Sequence, residues 1–78
     1  MANITIYSTP WCTYCKMAKD FFAQHNISYQ EKDVAADEEA RDNMVKLSGQ
    51  LGVPVIEIDN KVIVGFDKDT LSEILGVR

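Results

Sequence analysis

Cys12 and Cys15 are the only two cysteines in a chain of 78 residues, and they stand within the stretch Trp11-Cys12-Thr13-Tyr14-Cys15. A pair at that spacing can close a disulfide within one helical turn. A thiolate at a helix start meets unpaired backbone N–H groups and the positive end of the helix dipole, which favour the ionised, nucleophilic form. As a structural staple the bond would do little, because so short a loop removes little entropy from the unfolded chain. The pair is therefore read as one that opens and closes in thiol-disulfide exchange. Zinc is the competing chemistry and fails on ligand number: a closed site needs four, and beyond the cysteines the chain offers only His25, a full helix away. No metal site is expected.

The elements that must position the pair follow from periodicity. Asn3 to Ser8 is rich in β-branched and aromatic residues and reads as a first strand. Pro10 breaks it and holds Thr9 extended, delivering Trp11 and Cys12 as an exposed loop that enters a helix. From Thr13 to about His25, Met17, Ala18, Phe21 and Phe22 fall at helical spacing, and Cys15 extends the stripe. Cys15 is thus predicted to face inward and Cys12, a turn earlier, to be the more exposed sulfur. Lys16 and Lys19 add positive charge nearby.

Ile27 to Val34 alternates with a period of two and carries many charges, which predicts a second strand at a sheet edge. Two strands separated by one helix form a β-α-β unit with parallel strands. Asp37-Glu38-Glu39 opens a second helix whose buried stripe is Ala40, Met44 and Leu47, and Gly49 closes it. Val55 to Ile58 and Lys61 to Val64 read as a hairpin about the turn Asp59-Asn60. Gly65-Phe66-Asp67 breaks the last strand, and Leu71, Ile74 and Leu75 mark a third helix entered through Asp67 or Thr70 and ended at Gly76. The order is β-α-β-α-β-β-α: an α/β fold with a four-stranded mixed sheet and three helices, in a single domain over residues 1–78.

Composition agrees with a globular chain: 46% of residues are apolar, 26% are charged, and the net charge is -4. No cluster of lysine and arginine is present, so nucleic acid and anionic membranes are not expected as partners. No basic leader followed by an apolar stretch and no membrane-length apolar run appears, so a cytoplasmic, monomeric protein is expected.

These features together resemble the glutaredoxin family, within the thioredoxin-like fold. The resemblance rests on the element order, on Cys12-Thr13-Tyr14-Cys15 after the first strand, on Val53-Pro54 before the third, and on Gly65-Phe66-Asp67 after the fourth. It implies a cis bond before Pro54, with its loop against the cysteines and Gly65 to Asp67 completing a groove. In that groove, the resemblance implies, the Tyr14 ring lines the wall, Val53 pairs through its backbone with the cysteine moiety of glutathione, and Phe66 and Asp67 hold the γ-glutamyl end. Trp11 reads either as a contact surface for partners or as a cap over the disulfide. Cys12 would attack a substrate disulfide and Cys15 would resolve the mixed disulfide.

The implied activity is reduction of protein disulfides or glutathione mixed disulfides, with no bound cofactor and glutathione as the reductant. Thr9 stands where many members carry a lysine, Gly52 replaces the usual threonine before Val-Pro, and Val64 replaces the first glycine of a Gly-Gly pair. Similar departures occur in glutaredoxin-like redoxins that serve ribonucleotide reductase and are recharged by thioredoxin reductase, which is the alternative reading. A third is a carrier of an iron-sulfur cluster bridged between two chains through Cys12 and glutathione.

Overall fold

The computed structural model describes residues 3–76. Its elements are β1 (Ile4–Ser8), α1 (Thr13–Gln24), β2 (Gln30–Asp33), α2 (Glu38–Ser48), β3 (Val55–Ile58), β4 (Lys61–Val64) and α3 (Lys68–Leu75). The sheet order is β2-β1-β3-β4, with β1 and β2 parallel and the other neighbours antiparallel. This is the mixed four-stranded sheet expected from the order of elements. Among the described residues, no helix is long and apolar enough to cross a membrane.

Strand alternation divides the core between the two faces of the sheet. Ile4, Ile6, Ile56, Ile58 and Ile63 point to one face, where Ala18, Phe21 and Phe22 of α1 and Leu71 of α3 cover them. Tyr7 and Val55 point to the other, where Ala40 and Met44 of α2 pack with Val34. The in-register pairs Ile6 with Ile56 and Ile56 with Ile63 keep the first apolar set continuous across three strands.

Helices α2 and α3 each begin and end on a residue suited to the task. Asp37 caps α2 by accepting from Ala40 N–H, Asp67 caps α3 by accepting from Thr70 N–H, and both helices end on a left-handed glycine, Gly49 and Gly76. Helix α1 ends differently. Asn26, at φ 54°, turns the chain so that its own N–H reaches Ala23 O at 3.2 Å and Ile27 N–H reaches Phe22 O at 2.8 Å. This paired closure is a Schellman motif.

That motif corrects the expected extent of the second strand. The alternation beginning at Ile27 predicts a strand from there, yet pairing starts only at Gln30, opposite Thr5. Ile27 spends its N–H on the end of α1, and Ile27 and Tyr29 pack their side chains against the α1 face of the core. The edge position of β2 is as expected.

Two expected core residues lie outside the core. Met17 is 44% exposed and Leu47 is 39% exposed. Met17 lies about 200° around the helix from Cys15, on the flank of the buried stripe. Leu47 shares the face of Ala40 and Met44 but sits in the last turn of α2 and does not join their cluster. Helical spacing names the buried face; it does not say how far along the helix the sheet covers it.

Candidate active site

The carboxyl end of β1 delivers the chain to the cysteines through Thr9-Pro10-Trp11, a turn closed by Cys12 N–H donating to Thr9 O at 3.3 Å. Cys12 is the N-cap of α1, in extended geometry at φ -89° and ψ 117°, and its sulfur accepts the Cys15 N–H at 3.2 Å. A sulfur thus stands where caps are usually oxygen, and it receives one of the donors left free by the first helical turn. Positive helix-end potential falls on the same atom.

The two sulfurs are unequal, as their helical positions predict. Cys12 is half-buried and Cys15 has no exposed surface. Both are free thiols. Burial pushes the Cys15 thiol up to about 12, and its hydrogen bond with Cys12 adds to the shift. The Thr9 backbone N–H and the Lys19 charge oppose it. At neutral pH Cys15 therefore holds its proton.

A second loop meets the pair from across the sheet. The Val53-Pro54 bond is cis, as the resemblance implied, and the Cys12 thiol points at Val53 O, 3.9 Å away. Gly65 N–H donates to Pro54 O at 2.8 Å and ties the end of β4 to this loop. Gly65 sits at φ 85°, a left-handed conformation that disfavours a side chain. Cys12, Cys15, Val53, Pro54 and Gly65 are thereby linked in one unit.

The remaining expected residues divide between surface and core. Trp11 and Tyr14 flank Cys12 and are 76% and 61% exposed. Phe66 is half-buried and packs edge-on against Phe21, with ring centroids 6.1 Å apart. Asp67 gives one carboxylate oxygen to Thr70 N–H at 3.2 Å and the other to the Thr70 hydroxyl at 2.7 Å. Those two bonds hold its carboxyl below the usual range.

Two contributors lie outside the expected set. Gln50 braces the loop that carries Val53: its amide donates to Gly52 O at 3.0 Å and its carbonyl accepts Gly52 N–H at 2.5 Å. A Cβ on Gly52 would come within 2.6 Å of Gln50 Oε1, so the glycine and the brace belong together. The second is a polar cluster in which Lys19 pairs with Glu31 at 2.8 Å and the buried Ser8 hydroxyl donates to the same carboxylate oxygen at 3.1 Å. A glutamine near a glycine, or a charge on an edge strand, carries no signal of either arrangement in sequence.

The chain is similar to known proteins. A family model described as Glutaredoxin matches residues 4–63. A glutaredoxin-like 8.6 kDa protein encoded in the rubredoxin operon of Clostridium pasteurianum is 44% identical over 72 residues, covering 92% of this chain and 96% of its own. Glutaredoxin 3 of Escherichia coli K12 is 39% identical over 67 residues, covering 86% of this chain and 81% of its own. In structure, a mutant form of the thioredoxin-like protein BC3987 is similar over the full length of both chains, with a TM-score of 0.92 and 31% identity. The fold is thioredoxin-like. With the family model spanning most of the chain and these relatives covering nearly all of it, the protein belongs to the glutaredoxin family.

Proposed function

We propose that the protein is a dithiol disulfide reductase of glutaredoxin type, with Cys12 as nucleophile and Cys15 as resolving thiol. The observation that carries this reading is the inequality of the two sulfurs. Cys12 is accessible and capped by an N–H donor, whereas Cys15, one turn on, is sealed from solvent and protonated. The Cys12 thiolate attacks one sulfur of a substrate disulfide and expels the other as a thiolate, which takes up a proton. Cys15 then attacks Cys12 of the mixed disulfide, releasing the reduced substrate and leaving the Cys12-Cys15 disulfide.

Trp11 and Tyr14 offer aromatic surface to the substrate beside Cys12, and the backbone of Val53 offers a pairing edge. Glutathione is the proposed reductant of the resulting disulfide. Recharging by thioredoxin reductase is the second reading, favoured by two observations at the groove. Thr9 places an enclosed hydroxyl, not a cation, where many members have a lysine. Both carboxylate oxygens of Asp67 are engaged by Thr70.

The test supplies oxidised protein with NADPH and either glutathione with its reductase or thioredoxin reductase, and follows NADPH consumption. Reduction through glutathione supports the first reading and reduction by the flavoprotein alone supports the second. Failure of both routes, or retained turnover in Cys12→Ser, would end the assignment.

A further inference from the structure

Resolution demands an anion at Cys15, a sulfur with no exposed surface. The cysteine pair supplies no countercharge, since the Cys15 N–H is directed at Cys12. One turn along α1, at the i+4 position on the same helix face, stands Lys19. Its ammonium donates to Glu31 Oε2 at 2.8 Å, and that oxygen also accepts the Ser8 hydroxyl at 3.1 Å. Ser8, 1% exposed, ends β1 on the sheet face that α1 covers. Glu31 lies in register with Ile6 on the adjacent strand. Groups from three elements thus fix one cation on the side of the helix that buries Cys15. Its side chain is only 26% exposed, so its field is screened less than that of a free surface lysine.

We propose that Lys19, positioned by Glu31 and Ser8, stabilises the Cys15 thiolate as it resolves the mixed disulfide at Cys12. The proposal rests on the dithiol mechanism above. In the step, the Cys15 S–H bond and the bond from Cys12 to the substrate sulfur break, and the Cys12-Cys15 bond forms. The departing substrate thiolate takes up the proton that Cys15 gives up, and the dithiol's two electrons leave with the substrate. Besides Lys19, the groups that face Cys15 are the Cys12 thiol and the Thr9 backbone N–H; Lys19 in turn faces Glu31 and Tyr29 on and beside β2. Glu31 and Ser8 act through Lys19 and are positioning residues.

The test mixes fully reduced protein with one equivalent of dipyridyl disulfide, an uncharged probe, and follows pyridine thione release by stopped flow. The first thione leaves when Cys12 attacks and the second when Cys15 resolves. Wild type should show two phases and Cys15→Ser only the first; absence of a second phase in wild type would overturn the dithiol reading itself. Lys19→Gln should slow the second phase roughly threefold to tenfold, leave the first unchanged and shift the rise of the second phase to higher pH. Lys19→Arg should restore the rate. A second phase as fast as wild type in Lys19→Gln, equal slowing of both phases, or no rescue by arginine would overturn the proposal. If Lys19→Gln does not fold, Lys19→Met decides: selective slowing of the second phase supports the proposal and wild-type kinetics overturn it.

Discussion

The backbone N–H of Cys15 donates to the sulfur of Cys12 across 3.2 Å, so the half-buried cysteine of the pair caps the helical turn that carries the buried one. The contact uses a donor that any helix start leaves free, and it fixes the Cys12 sulfur at the positive end of α1. Because the same helical turn buries Cys15, one local geometry sets the first sulfur at the helix start and seals the second from solvent.

Redox state should therefore govern alkaline stability. The folded Cys15 thiol is raised to about 12 by burial, above the roughly 8.5 of an unfolded cysteine. A group raised on folding contributes stability that is present below the unfolded value and lost as pH rises through the folded one. The Tm of the dithiol form should fall faster than that of the disulfide form between about pH 8.5 and 12. Calorimetry of both forms checks this, and parallel pH profiles would contradict it.

Gly65 should tolerate alanine poorly for a purely backbone reason. No atom lies within 4 Å of a Cβ placed there, but φ is 85°. Gly65→Ala should cost about 1–2 kcal/mol, seen in urea unfolding as a lower midpoint with unchanged slope. Gly52→Ala should act on the loop instead, displacing Gln50 and slowing reduction of protein disulfides more than it lowers stability.

Trp11→Ala should separate recognition from folding. The ring is 76% exposed, so thermal unfolding should shift by no more than about 4 °C. With a protein disulfide as substrate, KM should rise several-fold while kcat changes little. A change confined to kcat would instead make Trp11 a cover for the cysteine pair.

Phe22 and Met17 share a helix and should differ sharply in stability. Phe22 has no exposed surface, so Phe22→Ala should cost about 3–5 kcal/mol, enough to leave a domain this small largely unfolded. Met17→Ala, at a position 44% exposed, should stay within about 0.5 kcal/mol of wild type. Chemical denaturation measures both.

What the sequence by itself determined was whatever depends on neighbours in the chain. The bounds of β3 and β4, the cap Asp37, the closing glycines and the inequality of Cys12 and Cys15 all follow from turn chemistry and helical period over a few residues, while the structure chose Asp67 over Thr70 as the cap of α3. Ile27 shows where local pattern fails: its alternation is that of a strand, but its N–H belongs to the preceding helix. Met17 fails because it lies on the flank of the buried stripe, and Leu47 because it sits in the last turn of α2; periodicity contains neither the width nor the length of the covered face. The meeting of Cys12 with Val53 and of Gly65 with Pro54 was implied by the family resemblance and by no local pattern, and that of Lys19 with Glu31 and Ser8 was decided only by tertiary structure. Those contacts join residues from separate elements, whose spacing in space is set by strand order and register rather than by any local preference.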